Sequence, residues 1–213
     1  LKNKLVNIDN VAIIRGSGAD IKKFIPVEEC IGIPIVMLAS RMLWDKGVGE
    51  FVNAAKTLKQ KGIRARFVLV GDSDPENPAS ISNTQLSEWH ELGIVEWWGE
   101  RSNMCEVLTQ AHIVCLPSYR EGLPKVLLEA ASCSRPIIAT DVPGCREIVH
   151  NGKNGILVPI KNSNSLTNAI KELIDNPEKR KSMGVNGRRL VESEFSEEIV
   201  VSQTLKVYQE LLA

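Results

Sequence analysis

The run "IPIVMLAS" (residues 33–40) is apolar almost throughout, and others resemble it: "RFVLVG" (66–71), "IVEWWG" (94–99), "HIVCLP" (112–117), "PIIAT" (136–140), "GILVP" (155–159) and the shorter "VAII" (11–14). A strand with one wet face alternates apolar and polar residues. A run that is apolar at successive positions has to bury both faces, as strands of parallel sheets do. Helical patterns lie between the runs. Residues 46–61, "KGVGEFVNAAKTLKQK", place Val48, Phe51, Val52, Ala55 and Leu58 on one stripe, with Gly62 as a stop. Residues 124–133 begin with Pro124 at a natural first-turn position, and 164–175 align Leu166, Ala169, Ile170, Leu173 and Ile174. Pro177 opens a further helix, and Val201, Leu205, Tyr208 and Leu212 stripe the C-terminal segment. This β-α-β-α order predicts an α/β fold, a Rossmann-like doubly wound parallel sheet with helices on both faces. At 213 residues the chain suffices for one such domain, and no repeat or composition shift divides it.

Several functions are disfavoured by the bulk numbers. The 26 basic residues balance the 26 acidic ones, so no net charge draws in nucleic acid. No apolar run approaches bilayer-spanning length. The cysteines (Cys30, Cys105, Cys115, Cys133, Cys145) are odd in number and fit no zinc spacing, so they read as reduced structural thiols. His90, His112 and His150 are scattered and read as structural or surface residues. The first residue is Leu rather than Met, so a piece of a longer protein is expected.

In a doubly wound sheet, ligands bind at the carboxyl ends of the strands. After 33–40 come Arg41 and Lys46; after 66–71, Asp72; after Trp97 and Trp98, Gly99; after 112–117, "SYREGLPK". The loop "DSDPENPAS" (72–80) is polar and Pro-containing, and is expected to be mobile. Its Asp72 and Asp74 are the nearest thing to an Asp-x-Asp pair, and no metal site is read there.

The stretch "EGLPKVLLE" carries Glu121 before a helix start and Glu129 inside the helix. Backbone N–H groups of Gly122, Leu123, Lys125 and Val126 would be free there; Pro124 has none. Free donors and the helix dipole suit an anion, and Arg41 and Lys46 would add full charges. Carboxylates would repel that anion, but they accept hydrogen bonds from hydroxyls. From Pro124 to Glu129 a helix rises roughly 7–8 Å, about the separation of hydroxyls on either side of a diphosphate. A nucleotide sugar has that layout. The spacing equally admits a bland reading in which Glu121 caps a turn and Glu129 is solvated. Against it, Glu129 lies among Val126, Leu127, Leu128, Ala130 and Ala131, where a carboxylate wants a partner.

The run "SYREGLPKVLLEAASCSRPIIATDVPGCREIV" closely resembles the signature of retaining family 4 glycosyltransferases of GT-B architecture. "ASRMLWDKGVGEFVNAA", "FVLVGDSD" and "VEWWGE" match in order and spacing, and "IRGSGADIKKF" resembles the link where that family's C-terminal domain begins. The resemblance implies the C-terminal, donor-binding half of a two-domain enzyme that transfers sugar from a nucleotide diphosphate with retention and without a metal or other cofactor. Arg41, Lys46 and Glu121 would then be catalytic, the cations neutralising the diphosphate and Glu121 touching sugar hydroxyls. Gly122 and Leu123 backbone would hold diphosphate or sugar, with Pro124, Lys125, Val126 and Asp72 also at the donor. Glu129 would bind the ribose, and the backbone of Trp97 and Trp98 the base, with a Trp ring packed near it. The family often has Gly-Gly after the "TD" strand, where this chain has Pro143-Gly144.

The same resemblance implies a UDP-sugar donor, a hexosyl or hexosaminyl group, and a glycan or lipid-linked acceptor in polysaccharide synthesis. That acceptor would be held by an N-terminal domain absent from this chain, in the cytoplasm at the inner face of the membrane, with only peripheral membrane contact. Alone, the chain is expected to transfer no sugar. A GT-B sugar-nucleotide epimerase would share the nucleotide site, and a non-catalytic carbohydrate-binding domain would leave the Arg41–Lys46 pair unexplained. A dinucleotide-binding domain needs Gly-x-Gly-x-x-Gly, but after Gly16 and Gly18 the third position is Ile21.

Overall fold

The computed structural model describes residues 11–212. Six parallel strands form one sheet in the order β3-β2-β1-β4-β5-β6. They are β1 (Ile35–Ala39), β2 (Arg66–Val70), β3 (Glu96–Trp97), β4 (Ile113–Leu116), β5 (Ile137–Thr140) and β6 (Gly155–Val158). The helices are α1 (Val48–Gln60), α2 (Asn83–Glu91), α3 (Met104–Gln110), α4 (Lys125–Ser132), α5 (Pro143–Arg146), α6 (Ser163–Asp175), α7 (Pro177–Leu190) and α8 (Glu197–Leu212). The chain moves outward from β1 to β2 and β3, then returns to build β4, β5 and β6 on the other side. The reversal lies between β1 and β4, which pair through Val36–Ile113, Met37–Val114 and Leu38–Cys115.

The unbroken apolar runs are explained by two cores. Val36, Leu38, Phe67, Leu69, Ile113 and Cys115 point to a face covered by α1, α2 and α6. Met37, Ala39, Val68, Val70, Val114 and Leu116 point the other way, against α3, α4 and the π-helical turn Val191–Phe195. Each strand thus alternates between two dry layers. The α1 stripe Val48, Phe51, Val52, Ala55 and Leu58 is at most 1% exposed. Full burial of a side chain such as Leu58 or Phe51 is worth about 2–3 kcal/mol.

Residues 11–14 are not a strand: they pair with nothing in the sheet, and Ile13 is 81% exposed. Four apolar residues supply the pattern, but β3 and β6 hold the sheet edges. The link instead bonds to the C-terminal region, where Ala19 N–H donates to Phe195 O and Glu197 N–H to Ala19 O. The 72–80 loop is also better tied than its composition suggests. Its turns close on themselves (Asn77 N–H to Asp74 O, Ser80 N–H to Asn77 O) and on the neighbouring loop (Trp44 N–H to Ala79 O). The α8 stripe does not pack on this domain: Val201, Leu205, Tyr208 and Leu212 are half exposed or more, and only Val200 is buried in that helix.

A buried polar cluster braces the start of β1. Ile35 N–H donates to His112 Nδ1 at 3.1 Å, and His112 Nε2 lies 2.9 Å from Cys30 O. Nδ1 is therefore the acceptor and Nε2 carries the proton of a neutral ring. Burial holds His112 below its ordinary value of 6.5, outweighing the hydrogen bond to Cys30 and the nearby Glu29. Glu29 is bound by Arg180 at 2.8 and 2.7 Å. Burial raises the Glu29 pKa, but the Arg180 hydrogen bonds and charge outweigh it and leave it below 4.5.

Two predictions follow from this packing. Both His112 and Glu29 have depressed folded-state values, so their stabilisation is complete above the unfolded value and lost as pH falls. Urea midpoints should therefore decline first below 6.5, through His112, and again below 4.5, through Glu29. His112→Asn should remove the first decline; an unchanged slope would contradict the neutral-ring assignment. At Gly71 (φ +129°) a Cβ would stand 1.9 Å from Ser40 O, whereas at Gly62 (φ +74°) it meets nothing within 4 Å. Gly62→Ala should cost about 1–2 kcal/mol from backbone conformation alone. Gly71→Ala should cost clearly more, and equal costs by urea unfolding would contradict the backbone clash.

Candidate functional site

A cleft of about 670 Å³ opens along the carboxyl ends of β3, β2, β1 and β4, beside the point where strand order reverses. Each strand end sends residues to it: Ser40 and Arg41 after β1, Gly71 to Glu76 after β2, Glu100 and Arg101 after β3, and Val126 and Glu129 from α4 after β4. Arg41, Asp72, Val126 and Glu129, all expected from the sequence, are thus brought together.

Lys46 and Glu121 do not line this cleft; they form an ion pair next to it, Lys46 Nζ to Glu121 Oε1 at 2.7 Å, with side chains only 22% and 10% exposed. The backbone explains why they meet. Trp44–Lys46 forms a 3-10 turn closed by Gly47 in the left-handed region (φ +74°). A Cβ on Gly47 would stand 2.1 Å from Pro117 O, so the turn after β1 rests directly on the end of β4. Tyr119 N–H then donates to Asp45 O at 2.8 Å, and Glu121 arrives opposite Lys46. α5 leans on the segment that carries Glu121: a Cβ on Gly144 would stand 2.1 Å from Gly122 O. The glycine of Pro143-Gly144 is therefore at the position where space demands it.

The start of α4 differs in one detail from the sequence expectation. Pro124 is the N-cap in extended conformation (φ −72°, ψ 110°), not the first helical residue, which is Lys125. A residue before a helix takes the β region to turn the chain inward. Among the described residues, the N–H groups of Gly122, Leu123, Lys125 and Val126 have no protein acceptor, while Leu127 N–H bonds to Pro124 O. Lys125 is exposed, and Leu123 is partly buried with its Cδ2 against Gly16.

Glu129 is half-buried and, among the described residues, its carboxylate has neither an ion pair nor a hydrogen bond, although its carbonyl accepts from Cys133 N–H. Burial raises its pKa above 4.5 despite the opposing charges of Lys125 and Lys23. Arg41 is held at the rim by Asp74, Nη1 to Oδ2 at 2.7 Å. Asp72 carries the loop backbone as well, its carbonyl accepting from Met42 N–H at 2.9 Å.

The tryptophans lie outside the cleft lining. Strand alternation sends them to opposite layers, Trp97 against the α1–α2 side and Trp98 against the α3–α4 side. Their indole N–H groups are engaged, Trp97 with Gly71 O at 2.8 Å and Trp98 with Glu96 at 3.2 Å. At the β3 end, Glu100 and Arg101 reach the cleft instead. The strand-end rule would have found them had it been carried two residues past Gly99. Asp74, weighed in the sequence only as part of an Asp-x-Asp pair, also lines the cleft, as do Glu76 and Met104, which carried no sequence signal of a site.

Cys115, Cys133 and Cys145 are buried thiols, and burial pushes Cys133 and Cys145 up to about 12. Among the described residues, no three His, Cys, Asp or Glu side chains converge as metal ligands, and no helix is long and apolar enough to cross a membrane.

The family model described as "Glycosyl transferases group 1" matches residues 31–190. The chain is 32% identical, over its whole length and 57% of the relative's, to the N,N'-diacetylbacillosaminyl-diphospho-undecaprenol alpha-1,3-N-acetylgalactosaminyltransferase of Campylobacter jejuni. A sucrose-phosphate synthase from Thermosynechococcus elongatus superposes with a TM-score of 0.83 at 27% identity, covering 93% of this chain and 52% of that one. The C-terminal domain of a glycosyl transferase group 1 family protein from Francisella tularensis shares the fold (TM-score 0.70, 24% identity), covering 84% of this chain and 99% of that one. The chain spans about half the length of the curated relatives it matches, 57% and 46% for two of them. With a six-stranded parallel sheet of GT-B type and a family match over most of its length, the chain belongs to the glycosyl transferases group 1 family.

Proposed function

We propose that this chain is the donor-binding half of a retaining glycosyltransferase. The observation that carries the reading is one cleft at the β1–β4 reversal with Arg41 and Glu129 in its wall and the Lys46–Glu121 pair beside it. In the proposed arrangement the donor diphosphate lies across the open N–H groups at the start of α4. Arg41 and Lys46 neutralise the charge that grows on the leaving nucleoside diphosphate as the anomeric C–O bond breaks. Glu121 gives up part of its hold on Lys46 to accept sugar hydroxyls, and Glu129 accepts from the ribose. The base falls to the β3 end, beside the Trp97–Trp98 backbone, with the indoles engaged elsewhere and outside the cleft lining.

The donor in this reading is a UDP-sugar, and the group moved a hexosyl or hexosaminyl unit. The acceptor is a glycan or lipid-linked glycan held by a separate N-terminal domain, at the cytoplasmic face of a membrane. The name of the Campylobacter relative, with its diphospho-undecaprenol acceptor, supports the lipid-linked choice. No metal is called on, because the two cations and the helix start supply the positive charge. By itself the chain binds nucleotide weakly and transfers nothing. A sugar-nucleotide epimerase would use the same donor contacts, and product analysis of the whole enzyme with and without acceptor separates the two.

Calorimetry of the chain with UDP, GDP and ADP tests the site. UDP should bind best, and Lys46→Ala and Glu129→Ala should each weaken it about tenfold or more, the scale of a lost hydrogen bond to a charged group. Binding at the wild-type level by both variants would remove the assigned site.

A further inference from the structure

Arg41 is an exposed side chain at the cleft rim, 62% accessible, yet it is held in one place by Asp74. The contact is single: Nη1 donates to Asp74 Oδ2 at 2.7 Å, and among the described residues Nε and Nη2 have no partner. Asp74 is itself fixed. Its N–H donates to Ser80 Oγ at 2.8 Å, and its carbonyl accepts from Asn77 N–H at 2.8 Å. The loop that bears it is bonded to the loop that bears Arg41 at three further points: Met42 N–H to Asp72 O, Trp44 N–H to Ala79 O and Ile81 N–H to Met42 O, each 2.9 Å. Arg41 and Asp74 therefore ride on one hydrogen-bonded unit.

We propose that Asp74 is the positioning residue for Arg41, holding the guanidinium by one edge so that its remaining N–H groups face a donor diphosphate. This rests on the donor-diphosphate reading above. Two effects of Asp74 oppose each other. Its charge repels a diphosphate, but that charge is already matched by Arg41 at hydrogen-bond distance, so the repulsion at the phosphates is reduced. Its hydrogen bond removes rotamer freedom that Arg41 would otherwise lose on binding, a saving of about 0.5–1.5 kcal/mol, or roughly two- to tenfold in affinity.

The two effects are separated by a pair of variants, with UDP and inorganic pyrophosphate as probes in calorimetry. Asp74→Asn keeps an acceptor for Nη1 and removes the charge. Asp74→Ala removes both. Asp74→Asn should bind as tightly as the wild type or tighter, and Asp74→Ala roughly two- to tenfold more weakly, with both probes. Binding by Asp74→Ala at or above the wild-type level would show that Asp74 masks Arg41 and overturn the proposal. So would equal weakening by both variants, or an ordering seen with UDP and not with pyrophosphate. If Asp74→Ala does not fold, Asp74→Asn alone decides, and weaker binding than the wild type overturns the proposal. Wild-type binding of the probes tests the donor reading itself; the order of the variants tests the role of Asp74.

Discussion

At the carboxyl edge of the sheet, carbonyl oxygens occupy the space where a side chain would begin. Gly47 lies against Pro117 O, Gly71 against Ser40 O, and Gly144 against Gly122 O, each at a distance that excludes a Cβ. Through these contacts the segment after β1 meets the ends of β2 and β4, and α5 meets the turn before α4. Everything proposed for the cleft depends on that closeness. Spread the loops by the width of a methyl group, and Lys46 no longer reaches Glu121, nor Arg41 Asp74.

The electrostatics of the site follow a single pattern. Both cations assigned to the diphosphate have a carboxylate: Lys46 has Glu121 and Arg41 has Asp74. Neither charge is left to draw in random anions, and both are held in place. Glu129, by contrast, is a half-buried carboxylate without a partner among the described residues, and burial raises its pKa. A buried polar group in that condition costs stability unless something else satisfies it. A hydroxyl donor in the cleft would do so, which accords with the ribose role that the family resemblance implies for Glu129.

Much of this was legible in the sequence because it depends on periodicity and strand ends. Apolar runs located β1 to β6, and the stripes located α1 and α6 within two or three residues. Arg41, Asp72, Val126 and Glu129 reach one cleft because residues after parallel strands gather at one edge. Other features were not legible, for physical reasons. "VAII" has a strand's composition but no partner, and pairing is a property of the sheet rather than of the run. α2 has only Leu86 and Trp89 as apolar residues and α3 is only 7 residues long, so no stripe announces them. Trp97 and Trp98 are adjacent in sequence, and the period-two alternation that makes a strand sends them to opposite layers, away from the cleft. The Arg41–Asp74 contact joins residues 33 positions apart through loop hydrogen bonds, which no local pattern encodes.

The central claim is that a nucleoside diphosphate lies across the start of α4, between the loops after β1 and β2. Amide hydrogen exchange of the chain, with and without the tightest binder among UDP, GDP and ADP, examines this most directly. The account predicts slower exchange at Gly122, Leu123, Lys125 and Val126 and in the loop that follows β1, with α6 and α7 unchanged. Ligand binding that leaves the α4 start untouched, or protection confined to another face of the sheet, would contradict it.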